Sequence, residues 1–140
     1  MKIGSLAAVV LGAAALSGCI TPPGGGGGGP DGVAQSDLLA GLTAENGVYG
    51  ARGIYDANTA DMHALDGTVD WGGKLTVVVG DAVNPGDGAV VCLHEASTSG
   101  KAFNIAEVAI GSHAGEYRNA GGDCSSLSPL TLSGAWNTGW

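Results

Sequence analysis

Hydrophobic residues are unevenly placed along the chain. An uncharged run from Ile3 to Leu16 follows the single cation Lys2, and glycine and proline then dominate as far as Gly32. Beyond that point apolar positions come in short segments. "SDLLAGLTAEN" has helical spacing near 36–46, with Ser36 placed to cap and Gly47 to stop it. The other segments repeat every second residue. Gly47 to Tyr55 alternates loosely, with glycines between its aromatics. Thr68–Trp71 and Lys74–Val79 alternate on either side of Gly72-Gly73, a pattern that predicts a hairpin. Asn84-Pro85-Gly86-Asp87 fits a type II turn leading into "AVVCLHEA". "KAFNIAEVAI" suits either a helix or a strand; Gly100 and Gly111 bracket it and favour a strand. "PLTLSGAW" supplies one or two more. The fold expected is all-β, a small sandwich or barrel of six to eight short strands with one short helix near 36–46. No repeat of 20 to 50 residues is present.

The opening run is 14 residues long, too short for a bilayer span of roughly 20. A cation, a short apolar centre and small residues at its end mark a secretory signal peptide. Its last residues, Leu16-Ser17-Gly18-Cys19, resemble a bacterial lipobox. That resemblance implies cleavage between Gly18 and Cys19 and a diacylglycerol group on the Cys19 thiol, with further acylation (palmitate or similar) at the new amino terminus. Each chain CH₂ buried in the bilayer adds roughly 0.8 kcal/mol, so two or three acyl chains anchor stably where one does not. Ile20 stands where an Asp would resemble an inner-membrane retention signal, which favours the outer membrane of the bacterial cell envelope.

Gly24 to Gly29 are six consecutive glycines. They have no side chains to pack and a large entropy to lose on ordering, so 19–30 reads as a flexible tether. No strand precedes them and no Lys-Ser/Thr follows, which excludes a phosphate loop. Lipobox and poly-glycine together resemble the start of surface lipoproteins of the transferrin-binding and factor H-binding types. "VYGARGIYDA" and "LDGTVDWGGKLTVVVG" are similar to the glycine-spaced strands of their barrels. The organisation expected is a signal peptide over 1–18, the tether over 19–30 and one domain over 31–140.

Charge narrows the partners. Past Cys19, four cations (Arg52, Lys74, Lys101, Arg118) face 13 carboxylates, a formal balance of −9. Such a domain repels nucleic acid and anionic lipid surfaces. Its 18 glycines in 110 residues weigh against stability, and a cross-link would compensate. Cys92 and Cys124 are an even pair in an exported domain, read here as a disulfide. Zinc held by Cys92, His94 and Cys124 with His63 or His113, and a nucleophilic Cys92, are the rival readings.

Asp56, Asn58 and Asp61 match the start of an EF-hand loop, but Ala60 and Gly67 break the pattern. These three, with Asp66, or Asp81 with Asp87, are weak calcium candidates, and no cofactor is expected. No G-x-S-x-G, H-E-x-x-H or Walker-type motif occurs. Trp136 and Trp140 are four apart and would share one face of a last strand. The expected function is non-enzymatic: a lipid-anchored envelope protein that binds a protein or glycan ligand. The alternative is a lysozyme-inhibitor-like protein facing the periplasm, since Ser97-Thr98-Ser99-Gly100 resembles the Ser-x-Ser-Gly motif of that group. A small hydrolase is a third class.

Overall fold

The computed structural model describes residues 28–81, 88–122, 124, 136, 139 and 140. Two helices, α1 (Pro30–Arg52) and α2 (Thr59–Leu65), precede four strands: β1 (Leu75–Asp81), β2 (Ala89–Ala96), β3 (Ala102–Val108) and β4 (Gly115–Ala120). The strands form one antiparallel sheet in the order β1-β2-β3-β4, and α1 packs on β2 and β3. The described architecture is therefore a helix layer on a four-stranded sheet, not an all-β sandwich or barrel of six to eight strands. Gly18, Cys19, the glycines up to Gly27, the turn at 84–87 and most of "PLTLSGAW" lie outside the described residues.

Helix α1 is the largest departure from expectation. It opens on Pro30 in its first turn, with Gly29 at the N-cap, so the glycine run leads straight into the domain. It does not stop at Gly47. Ala34, Leu38, Gly41, Leu42, Glu45 and Val48 form one buried face, and burial of Val48 together with stacking of Tyr49 on Tyr55 at 4.7 Å carries the helix past two poor helix formers. It ends at Gly53, whose left-handed φ of 72° lets its N–H reach the Tyr49 carbonyl at 2.7 Å. The strand expected over 47–55 is thus mostly helix.

Gly41 decides how closely α1 approaches the sheet. A Cβ there would stand 2.7 Å from Leu93 Cδ2 and 3.1 Å from Leu75 Cδ1. A mid-helix glycine costs about 1 kcal/mol relative to alanine; here it lets the helix axis settle onto the middle strands. The direction of α1 follows from its ends. Asp31 bonds the β2–β3 turn, and Asn46 bonds Glu107 at the end of β3. Between those points the helix advances about 22 Å and β3 about 20 Å, so α1 runs alongside β3 in the same sense.

The hairpin expected across Gly72-Gly73 is absent. Trp71 is buried, donates its indole N–H to the Asp66 carbonyl at 2.9 Å, and makes only one bridge to Leu75. Strand β1 pairs instead with β2 over seven residues, Leu75↔Glu95 through Asp81↔Ala89. That register aims Leu75, Val77 and Val79 at the helix with Val91 and Leu93 of β2 and Phe103 and Ile105 of β3. "AVVCLHEA" and "KAFNIAEVAI" form β2 and β3, as the alternating pattern predicts.

The other face of the sheet has its own cluster: Val90, Cys92, Ala106, Val108 and Cys124, with Tyr117 and Trp136 against it. A disulfide joins Cys92 to Cys124, with Cα atoms 5.8 Å apart and 32 positions between them in sequence. On the chain-entropy account such a bridge contributes roughly 3–4 kcal/mol. Cys92→Ser, Cys124→Ser and the double variant should each lose that amount in urea denaturation. A double variant much weaker than either single one would mean the two thiols act separately.

Candidate functional site

The disulfide removes both thiols from chemistry, so neither zinc ligation nor nucleophilic attack by Cys92 survives. His94 shares the face of Cys92, but its Nδ1 lies 2.8 Å from Asn104 Oδ1. Asn104 Nδ2 donates to the Gly121 carbonyl at 3.1 Å. The amide oxygen is therefore the acceptor and His94 Nδ1 the donor. His63 ends α2 and His113 lies in the β3–β4 turn, so the structure does not bring the histidines together.

Asp56, Asn58 and Asp61 are placed by helix capping. Asn58 is the N-cap of α2 and its side chain accepts from Ala60 N–H at 3.1 Å. Asp56 accepts from Asn58 N–H at 2.9 Å and pairs with Arg52 at 3.0 Å. Asp61 is exposed in the first turn of α2, where negative charge suits the helix dipole. Asp66 accepts from the Thr68 N–H and hydroxyl, which hold its carboxyl below the usual range. Among the described residues no three His, Cys, Asp or Glu side chains gather as a metal site would require. Asp87 lies outside the described residues.

The two tryptophans do not share a face. Trp140 lies on the helix side, edge-on to Phe103 at 6.1 Å and beneath the Arg118 guanidinium at 4.6 Å, while Trp136 packs against the disulfide cluster. The Ser-x-Ser-Gly stretch is also committed internally. Ser97 and Ser99 hydroxyls both donate to Asp31 Oδ1, and Lys101 Nζ pairs with Oδ2 at 2.9 Å. Lys101, Ser99 and Ser97 together hold the Asp31 carboxyl down to about 2. This knot fastens the start of α1 to the β2–β3 turn.

Two groups escape sequence reasoning. Glu45, on the buried face of α1, is 0% exposed, and Glu95, on the helix side of β2, is 3% exposed. Glu45 Oε2 accepts from Asp56 N–H at 3.1 Å, which fixes the return of the chain after α1. Its Oε1 and Glu95 Oε2 have no hydrogen-bond partner. Burial first, then the nearby Asp56 charge, pushes Glu45 up to about 7. Burial, then Asp37, pushes Glu95 up to about 7, with Lys74 opposing and Asp70 adding. Asp37 is itself raised by burial. Only the position of Glu45 four residues after Gly41 on the helical repeat could have flagged it; nothing in the pattern flags Glu95 beyond its alternation with Val91 and Leu93.

The accessible surface of interest is the outer side of α1. Two open grooves flank it, of about 520 Å³ toward α2 and about 510 Å³ toward β4. Ala40 and Thr43 line both; Ala44, Gly47 and Leu65 continue the first, and Ser36, Leu39 and Asn46 the second. Small side chains on the outer helix leave these grooves open, with Arg52, Asp66 and Glu116 at their rims.

The buried carboxyls set a pH dependence. Below the ordinary glutamate value of 4.5 folded and unfolded chains are both protonated and the contribution is constant. Between there and about 7 the folded chain holds protons that the unfolded chain has released, so stability falls as pH rises, by roughly 2–3 kcal/mol per carboxyl. Urea midpoints measured from pH 4.5 to 8 should fall accordingly, and Glu45→Gln or Glu95→Gln should flatten the profile and raise the midpoint at pH 8.

A scan against protein-family models, a search of curated proteins and a search of solved structures find no match to this chain. Its function is therefore argued from its own residues.

Proposed function

We propose that the chain is a lipid-anchored, non-enzymatic protein of the bacterial cell envelope whose domain binds a partner across the outer face of α1. The observation that carries this reading is Leu16-Ser17-Gly18-Cys19 closing a charged-then-apolar run, followed by a glycine tether that enters α1 without further linker. Cleavage before Cys19 would leave the lipidated residue joined to the domain by about a dozen residues. Among the described residues no helix is long and apolar enough to cross a membrane.

The groups best suited to catalysis are spent elsewhere. Cys92 is bridged, His94 is held by Asn104, and Glu45 and Glu95 are too buried to touch a substrate. Open grooves beside a helix of small side chains suit contact with a protein or glycan, and the acidic balance of the domain favours a basic partner. The lysozyme-inhibitor reading loses the residues that prompted it, because both serine hydroxyls of its motif face Asp31.

Cys19→Ser should move the protein from the membrane fraction to the soluble envelope fraction; retention in the membrane would overturn the anchor. Protease added to intact cells, compared with cells whose outer membrane is permeabilised, then reports which side carries the domain. The groove is tested separately by Gly47→Arg. A side chain there meets nothing within 4 Å of its Cβ, so the urea midpoint should stay unchanged. Cross-linking to the envelope partner should fall by about tenfold or more; unchanged cross-linking would exclude this face.

A further inference from the structure

The two edges of the sheet are guarded very differently. On β4, Glu116 and Arg118 form an ion pair at 2.6 Å, and Trp140 stacks on the Arg118 guanidinium. Charge and a bulky ring at an edge discourage another strand from pairing there. Strand β1 carries none of this. From Leu75 to Gly80 it has no charge and no proline, its ladder with β2 runs seven residues without a bulge, and Val78 is 47% exposed.

The hydrogen-bond phase shows which backbone groups of β1 are unused. Ser97 N–H bonds the Lys101 carbonyl and Ala109 N–H bonds the Ala89 carbonyl, so odd-numbered residues of β2 point their backbone at β3 and even-numbered ones at β1. In register with β2, Thr76, Val78 and Gly80 of β1 bond inward and Leu75, Val77 and Val79 point outward. Leu75 fits this: its N–H goes to the Asp70 carbonyl at 3.3 Å and its carbonyl takes Gly72 N–H at 2.8 Å, both away from β2. Val77 and Val79 have no such partners among the described residues.

The geometry points to self-association: two copies of this chain pair antiparallel through β1, joining their sheets into one of eight strands. The pairing centres on Val78. Val77 of each copy exchanges both backbone hydrogen bonds with Val79 of the other, the exposed Val78 side chains meet across the twofold axis, and Lys74 at one end of the strand comes beside Asp81 of the second copy. The outward phase of Val77 and Val79 requires an even register offset, and among even registers this one opposes the two terminal charges and covers Val78. A single strand pair buries less than a standard interface of about 1,600 Å², so the dimer is weak and concentration-dependent. Both domains are acidic, so moderate salt tightens it by screening their repulsion.

The test uses full-length chain in membranes. Val78→Cys sits in a non-hydrogen-bonded pair, where opposed Cβ atoms approach to about 5 Å, and mild oxidation should give a reducible species of twice the mass. Thr76→Cys on the same strand, which pairs opposite Gly80 of the second copy, and Glu116→Cys on the guarded edge should give none. Val79→Pro removes an outward N–H and leaves the β1–β2 ladder whole. In the Val78→Cys chain it should lower the cross-linked fraction by about tenfold with the far-UV spectrum unchanged. If Val79→Pro fails to fold, the three cysteine variants still decide. No cross-link at 78, equal cross-linking at 116, or a cross-link from 78 to a different protein would each overturn self-pairing.

Discussion

The contact on which the rest of the structure depends is the close approach of α1 to β1 and β2 at Gly41. Without a side chain at that point, Leu93, Leu75 and the ring of Trp71 fill the space against the helix backbone. From this contact outward, Leu38, Leu42 and Val48 meet Val91, Phe103 and Ile105 in one core. Hydrogen bonds at the two ends of the helix, from Asp31 to the β2–β3 turn and from Asn46 to Glu107, then set its angle. A single close contact and two polar anchors are enough to orient a 23-residue helix on a sheet.

The same layer holds the domain's main electrostatic cost. Glu45 and Glu95 sit in it with one orphaned oxygen each, an arrangement tolerable while they are protonated and costly once they ionise. Glu45 offsets part of this by fixing the chain at Asp56. Glu95 has no comparable bond and faces Asp37 and Asp70 as well as Lys74. The domain therefore has less stability in reserve above neutral pH than its core alone would give, which makes the disulfide on the opposite face matter more.

The sheet divides the domain's work between its two faces and its two edges. The helix face carries the core, and the far face is closed by Cys124, Trp136 and Tyr117 around the bridged Cys92. The β4 edge is occupied by an ion pair and a tryptophan, and the β1 edge is left plain. Outer α1 and β1 are thus the two regions where the surface is neither charged over nor covered among the described residues.

Local pattern alone determined several things. The apolar run ending in Leu16-Ser17-Gly18-Cys19, the glycine tether, the pairing of Cys92 with Cys124 and strands β2 and β3 were all legible in it. Each depends on composition or on a spacing of two, which neighbouring residues set by themselves. Tertiary structure decided the others. Val48 and Tyr49 carry α1 past Gly47 because their burial outweighs glycine's poor helix propensity. Segment 68–71 turns back to bury Trp71, since β2 gives β1 a longer ladder than a short hairpin would. Strand β4, "GEYRNA", has no hydrophobic alternation because it is an edge, half-exposed along its length. Glu45 and Glu95 look like surface residues until the helix is placed over them; burial is a property of what packs above a side chain, and no local pattern encodes it.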